Sequence, residues 1–169
     1  MLLGLALLYV GAVLCLNGIW LTGRIADREI TIINLCVAGI SSMVALHTIV
    51  MGDTIADTRT AAMTLLFAIT YLWVAYNRIT ECDGRGLGWF SLFVTITVTP
   101  MAVHEFINAN SVITYWMGFS WSAWAALWLL YFLQLTGVKN MPGTVAAFTL
   151  FCGIFTAWLP GMLVLFELA

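Results

Sequence analysis

The chain has 169 residues, 63% of them hydrophobic and only 8% charged, with a formal net charge of −2. A soluble domain of ordinary composition carries about 25% charged residues, so one is excluded. Nucleic-acid binding is excluded with it, because no basic patch exists. What remains is an integral membrane protein, read here as a single polytopic domain over residues 1–169.

Six apolar blocks predict six transmembrane helices, an all-α membrane protein built as a six-helix bundle. Their approximate limits are 2–22, 31–51, 59–77, 88–106, 112–135 and 143–167. Each is long enough to cross a hydrocarbon core about 30 Å thick. The first block, MLLGLALLYVGAVLCLNGIW, has no basic residue ahead of its apolar run. The run also exceeds the h-region of a signal peptide, so it reads as a retained first span. Gly4, Gly11 and Gly18 repeat there every seven residues, and small residues let helices approach closely. Leu3, Leu7, Val10 and Leu14 follow helical spacing on the same block. Asn17, near its inner end, brings an amide that needs partners when buried, either as a brace between helices or as a contact for a solute.

The second block holds His47 and the fourth His104; neither has the companions of a metal site. The third block carries Phe67 and Tyr71, four residues apart. Pro100 in the fourth block and Pro160 in the sixth predict kinks, and Pro142 opens the sixth, where a missing N–H costs little. The fifth block holds Trp116, Trp121, Trp124 and Trp128. The last three are spaced three and four apart and share one helix face. Trp124 and Trp128 lie too deep for the interfacial belt that membrane tryptophans favour. That face therefore points at other helices or at a cavity. In the last block Gly153, Ala157 and Gly161 form a second small-residue row.

The connectors set the orientation. Those after blocks 1, 3 and 5 hold Arg24, Arg28, Arg78, Arg85 and Lys139, against Arg59 alone on the other side. By the positive-inside rule the first set is cytoplasmic and both termini face outside. Cys15, Cys36, Cys82 and Cys152 stand apart with no CxxC spacing, so no metal and no cofactor are expected. No HExxH, GxSxG or intramembrane pair of aspartates is present, and no set of residues can be assigned catalytic roles. The chain is not read as an enzyme.

A bundle with so little charge inside suits neutral solutes. Ion paths and proton relays usually place ionisable residues in the membrane. A path ringed by aromatic and aliphatic groups, with a few amides, hydroxyls and indole N–H groups, fits a small planar polar molecule that has to shed water. Nothing supplies energy, so flow is expected to be passive. The rival class is a non-transporting membrane subunit that scaffolds a partner.

MLLGLALLYVGAVLCLNG, LLFAITYLWVAYN, GWFSLFV, WSAWAALWLL and TAWLPGMLVLF together resemble the UreI/AmiS family of bacterial inner-membrane urea channels and short-chain amide transporters. The resemblance implies a homohexamer with one pore per protomer, and a cytoplasmic urease or amidase as functional partner. It implies that Leu3, Leu7, Val10 and Leu14 line one side of the pore. Phe67, Tyr71, Trp121, Trp124, Leu127 and Trp128 form the constrictions, and Asn17 matches the family's Asn-Gly pair. Two features depart from the acid-gated branch. The connector MGDTIADTR is short and lacks the histidine-bearing loop found there, so a pore open at neutral pH is expected. Cys152 stands where that branch has a glutamate.

Overall fold

The computed structural model describes residues 2–168. It holds six helices and, among the described residues, no strand: α1 Leu2–Trp20, α2 Ile30–Met51, α3 Ile55–Thr80, α4 Arg85–Ile107, α5 Val112–Leu135 and α6 Pro142–Leu165. All six expected blocks are helical. α3 is longer than expected at both ends. Its start is set by a reciprocal cap: the Thr54 hydroxyl accepts from the Asp57 N–H, and the Asp57 carboxylate accepts from the Thr54 N–H. Such caps satisfy backbone donors that the helix leaves free. The same device, Ser111 with Thr114, opens α5.

Five of the six helices are long and apolar enough to cross a membrane by length and composition; α5 is not among them. Its 24 residues carry no charge, but tryptophan, tyrosine and serine score as polar on a hydropathy scale. The helix that looks least like a span is the one whose aromatic face turns inward.

The helices pack as pairs. α2 runs along α3, α4 along α5 and α1 along α6, while α3 and α4 touch only sparsely. The α1–α6 seam rests on the two small-residue rows. A Cβ on Gly11 would lie 2.6 Å from the Trp158 backbone nitrogen, and one on Gly18 would lie 2.5 Å from the Leu150 side chain. From the other side, a Cβ on Gly153 would meet the Cys15 nitrogen at 2.7 Å, and one on Gly161 the Leu8 nitrogen at 2.8 Å. Backbone meets backbone there, which only glycine permits.

Of the two expected prolines, Pro160 has the clearer effect. α6 opens into π-helical turns over Cys152–Trp158, and the Leu159 N–H reaches back to the Ile154 carbonyl. Pro160 has no N–H to return, so the Phe155 carbonyl lacks a donor at the π spacing. The Trp116 indole supplies one from α5 at 2.8 Å. Pro100 sits inside α4 with the helix continuous around it.

The start of α1 and the end of α6 share one end of the bundle with the connectors 52–54 and 108–111. The connectors 21–29, 81–84 and 136–141 lie at the other, basic end. The longest of these is tied down by one exposed carboxylate. Asp27 accepts from the Trp20 indole at 2.8 Å and from Arg78 at 3.2 Å, and the Arg78 guanidinium lies over the Trp20 ring at 5.4 Å. At the start of α4, Asp83 accepts from the Arg85 N–H and guanidinium, which hold its carboxyl below the usual carboxylate range.

Candidate functional site: two chambers meeting at an aromatic constriction

Two cavities run into the bundle from opposite ends. The terminal chamber, about 330 Å³, is lined by α1, α3, α4 and α5 with one residue of α2. The basic-end chamber, about 30 Å³, is lined by α1, α3, α4 and α5. Small-molecule sites commonly span about 300–1,000 Å³; the terminal chamber is of that size, whereas the basic-end one has room for about one water. Phe67 and Trp124 line both and mark where the two meet.

Phe67 is the hub of that waist. Its ring centre lies 4.8 Å from Trp128, 4.9 Å from Trp124 and 6.0 Å from Trp121. Trp121 meets Trp124 edge to face at 4.9 Å, a geometry aromatic quadrupoles favour. Tyr71 follows Phe67 down α3 with rings 6.2 Å apart. The slot between these faces has little polar surface.

All eleven residues singled out in the sequence line one chamber or both. Leu3, Leu7, Val10 and Trp121 line the terminal chamber; Leu14, Asn17, Tyr71, Leu127 and Trp128 line the basic-end chamber; Phe67 and Trp124 line both. Leu3 is the outlying member, 46% exposed at the mouth. The walls also hold residues that sequence reasoning passed over. At the basic end these include Thr70, Ser91 and Tyr131. At the terminal end they include Ser41, Thr60, Met63, Met101 and Glu105. Thr60, Met63 and Thr70 share with Phe67 and Tyr71 one face of α3 at spacings of three and four, a signal the sequence did carry. Ser41 is the lone lining residue of α2, and no spacing marks it.

The expectation that indole N–H groups replace water along the path needs correction for two of the three. Trp124 donates to the Thr156 hydroxyl of α6 at 2.8 Å, and Trp128 donates to the Thr70 hydroxyl of α3 at 3.2 Å. Both threonines spend their own proton on the carbonyl four residues back, leaving an oxygen that can only accept. Thr149 does the same, bonding the Val145 carbonyl and meeting the Tyr131 hydroxyl at 3.1 Å. Three threonines thus fix the tilt of three aromatic side chains of α5.

Asn17 is a brace as well as a wall. It pairs reciprocally with Asn34 of α2, Asn17 Nδ2 to Asn34 Oδ1 at 3.1 Å and Asn34 Nδ2 to Asn17 Oδ1 at 2.8 Å. Asn34 gives its second N–H to the Ile30 carbonyl at 2.9 Å and is fully buried. Replacing Asn34 by leucine leaves both amide faces of Asn17 unpaired. The expected cost is about 1–3 kcal/mol of stability, read as a lowered melting temperature in detergent. The Asn17→Leu/Asn34→Leu double variant should recover part of it.

Two buried side-chain oxygens have no partner among the described residues: Ser41 Oγ and Tyr71 Oη. Each lines a chamber, Ser41 the terminal one and Tyr71 the basic-end one. Buried polar groups are normally paired, so both ask for a visiting partner. Cys152 is fully buried with its thiol 3.9 Å from the Ala123 carbonyl.

An uncharged waist between two chambers, with free hydroxyls on either side of it, is the architecture of a conduit, and the comparisons agree. The profile of AmiS/UreI family transporters matches residues 2–168. The chain belongs to the AmiS/UreI family. This is a family of transporters, not of enzymes. A Mycolicibacterium smegmatis protein named as a candidate transporter of amidate substrates is 39% identical, over 95% of this chain and 75% of its own. The acid-activated urea channel of Helicobacter pylori is 30% identical, over 98% of both. The cryo-EM structure of the Helicobacter pylori urea channel in its closed state superposes with a TM-score of 0.87 at 29% identity, covering 99% of each chain. The α2–α3 connector of this AmiS/UreI chain is three residues long: Gly52, Asp53 and Thr54.

Proposed function

We propose that this protein is a passive channel for urea or small neutral amides in the bacterial plasma membrane, with six membrane-crossing helices and both chain ends outside. The observation that carries this reading is the pair of chambers meeting at the uncharged waist of Phe67 and Trp124. A planar neutral solute can slide between aromatic faces, whereas an ion would lose its hydration there with nothing charged to replace it. The eleven lining residues are the proposed path. Orientation rests on the basic connectors at the end away from the termini. A membrane crossing by α5 is supported by its 24 uncharged residues and by its packing along α4.

A homohexamer with one path per protomer is part of the proposal. Large exposed side chains such as Ile32, Met43, Trp89 and Ile96 supply surface for lipid and for neighbouring copies. A cytoplasmic urease or amidase would draw solute inward by consuming it, without contact. The 39% identity of the amidate relative favours the amide substrate, and the full-length match to the urea channel favours urea. Isotope uptake of urea and acetamide into proteoliposomes tests the proposal. Flux no greater than in empty vesicles, for both solutes, would return the chain to the rival reading of a non-transporting scaffold.

The path is proposed to stay open at neutral pH. The α2–α3 connector holds no histidine and is closed off by the Thr54–Asp57 cap. Among the described residues, and apart from two tyrosines, Glu105 near the mouth is the only ionisable residue lining either chamber. Uptake measured from pH 5 to 8 should therefore be flat within a factor of about 2, less than one ionisable gate would give. A tenfold rise on acidification would overturn this.

A further inference from the structure

Ser41 stands at the middle of α2, the only residue of that helix in the wall of the terminal chamber. It is 1% exposed, and its hydroxyl has no partner among the described residues. That breaks a pattern. Ser42, Thr70, Ser91, Ser120, Thr149 and Thr156 each donate to the carbonyl four residues back. Ser42, next in the chain, does so to Ala38 at 2.8 Å. Back-bonding of this kind is how a helical serine normally satisfies itself in an apolar setting. Ser41 makes no such bond, and in the chamber wall it shares with Leu7, Val10, Met63 and Phe67 its hydroxyl has no other partner among the described residues.

A hydroxyl donates one hydrogen bond and accepts others. That matches a neutral amide or urea group, whose carbonyl accepts and whose N–H donates. It matches an ion poorly, since nothing charged lies beside Ser41. Beyond the waist, Tyr71 carries the second unpartnered hydroxyl. A solute leaving one hydroxyl crosses the aromatic slot and meets the other.

We propose that Ser41 is a solute-docking residue, holding the amide group of a neutral solute in the terminal chamber at the threshold of the Phe67–Trp124 waist. The proposal rests on the channel reading above. It adds a specific polar partner contributed by a helix that nothing else places at the site.

The test compares wild type, Ser41→Ala and Ser42→Ala in proteoliposomes, using sub-saturating urea and acetamide. Alanine is well tolerated in a helix, and melting temperature and osmotic water permeability report any packing defect. Ser41→Ala is expected to lower the flux of both solutes about fivefold, the fold-change of one neutral hydrogen bond, with melting and water permeability unchanged. Ser42→Ala, whose hydroxyl is already satisfied, should conduct as wild type. Three results would overturn the assignment: equal flux in Ser41→Ala and wild type, an equal loss in Ser42→Ala, or a loss matched by a fall in water permeability or melting temperature. If wild type carries neither solute, the channel reading fails and the Ser41 assignment falls with it; if wild type conducts, only the assignment is at stake.

Discussion

Replacing Trp124 by alanine is expected to erase size discrimination while leaving the protein in the membrane. Butyramide flux should rise relative to urea by about tenfold or more, the scale on which a pocket senses one or two methylenes. The reason is its position. Trp124 lines both chambers, packs edge to face on Phe67 and Trp121, and is locked by its hydrogen bond to Thr156. Removing the indole joins the chambers without a waist. Truncating a large aromatic in a soluble core costs about 3–5 kcal/mol, so helix content and yield have to be followed alongside. Thr156→Val gives a milder route to the same question. It keeps both ring and volume, but leaves the indole N–H without its acceptor and the ring free to tilt. A partial loss of discrimination is expected there. If neither variant changes the urea-to-butyramide ratio, the waist is packing and not a selectivity element.

The second large effect concerns the α1–α6 seam. Gly11→Val is expected to yield no folded protein. A Cβ at position 11 meets the Trp158 nitrogen at 2.6 Å and its Cα at 2.8 Å. Backbone cannot swing away as a side chain can. Ordinary overpacking costs about 1–3 kcal/mol, and a forced separation of two helices along a shared seam lies at or above that range. The loss should be seen as a missing helical signal and aggregation on extraction. Gly39→Val is the control. Nothing lies within 4 Å of a Cβ there, and the protomer fold should survive. Should Gly11→Val fold and conduct normally, α1 and α6 would have to pack further apart than described.

Much of this was legible in the chain because it depends on local composition and period. Six nearly uncharged blocks become six helices since lipid leaves the backbone no other way to satisfy itself within one segment. Gly4, Gly11 and Gly18 mark a seam because a seven-residue repeat stays on one helix face. The tryptophans of α5 mark an inward face by the same spacing. Even the resemblance was carried by local strings such as WSAWAALWLL.

The polar part of the site was not legible. Asn34 is the partner of Asn17, yet 17 residues separate them. Trp128 and Thr70 are 58 apart, Trp124 and Thr156 are 32 apart. Such pairs depend on how each helix is rotated and how far it slides along its neighbour, quantities that no window of sequence contains. The π turns of Cys152–Trp158 set that rotation for Thr156, and they arise where Pro160 withholds an N–H.

By itself the sequence determined that this protein is a helical membrane bundle without charge in its interior, and which helix faces are small or aromatic. Only the tertiary structure decided which polar atoms are spent and which are left free. A donor such as the Trp124 indole reads the same in the sequence whether it faces a solute or a threonine. Pairing across helices consumed that indole and left Ser41 and Tyr71 unpartnered, because hydrogen bonding is set by distance and direction in space and not by order along the chain.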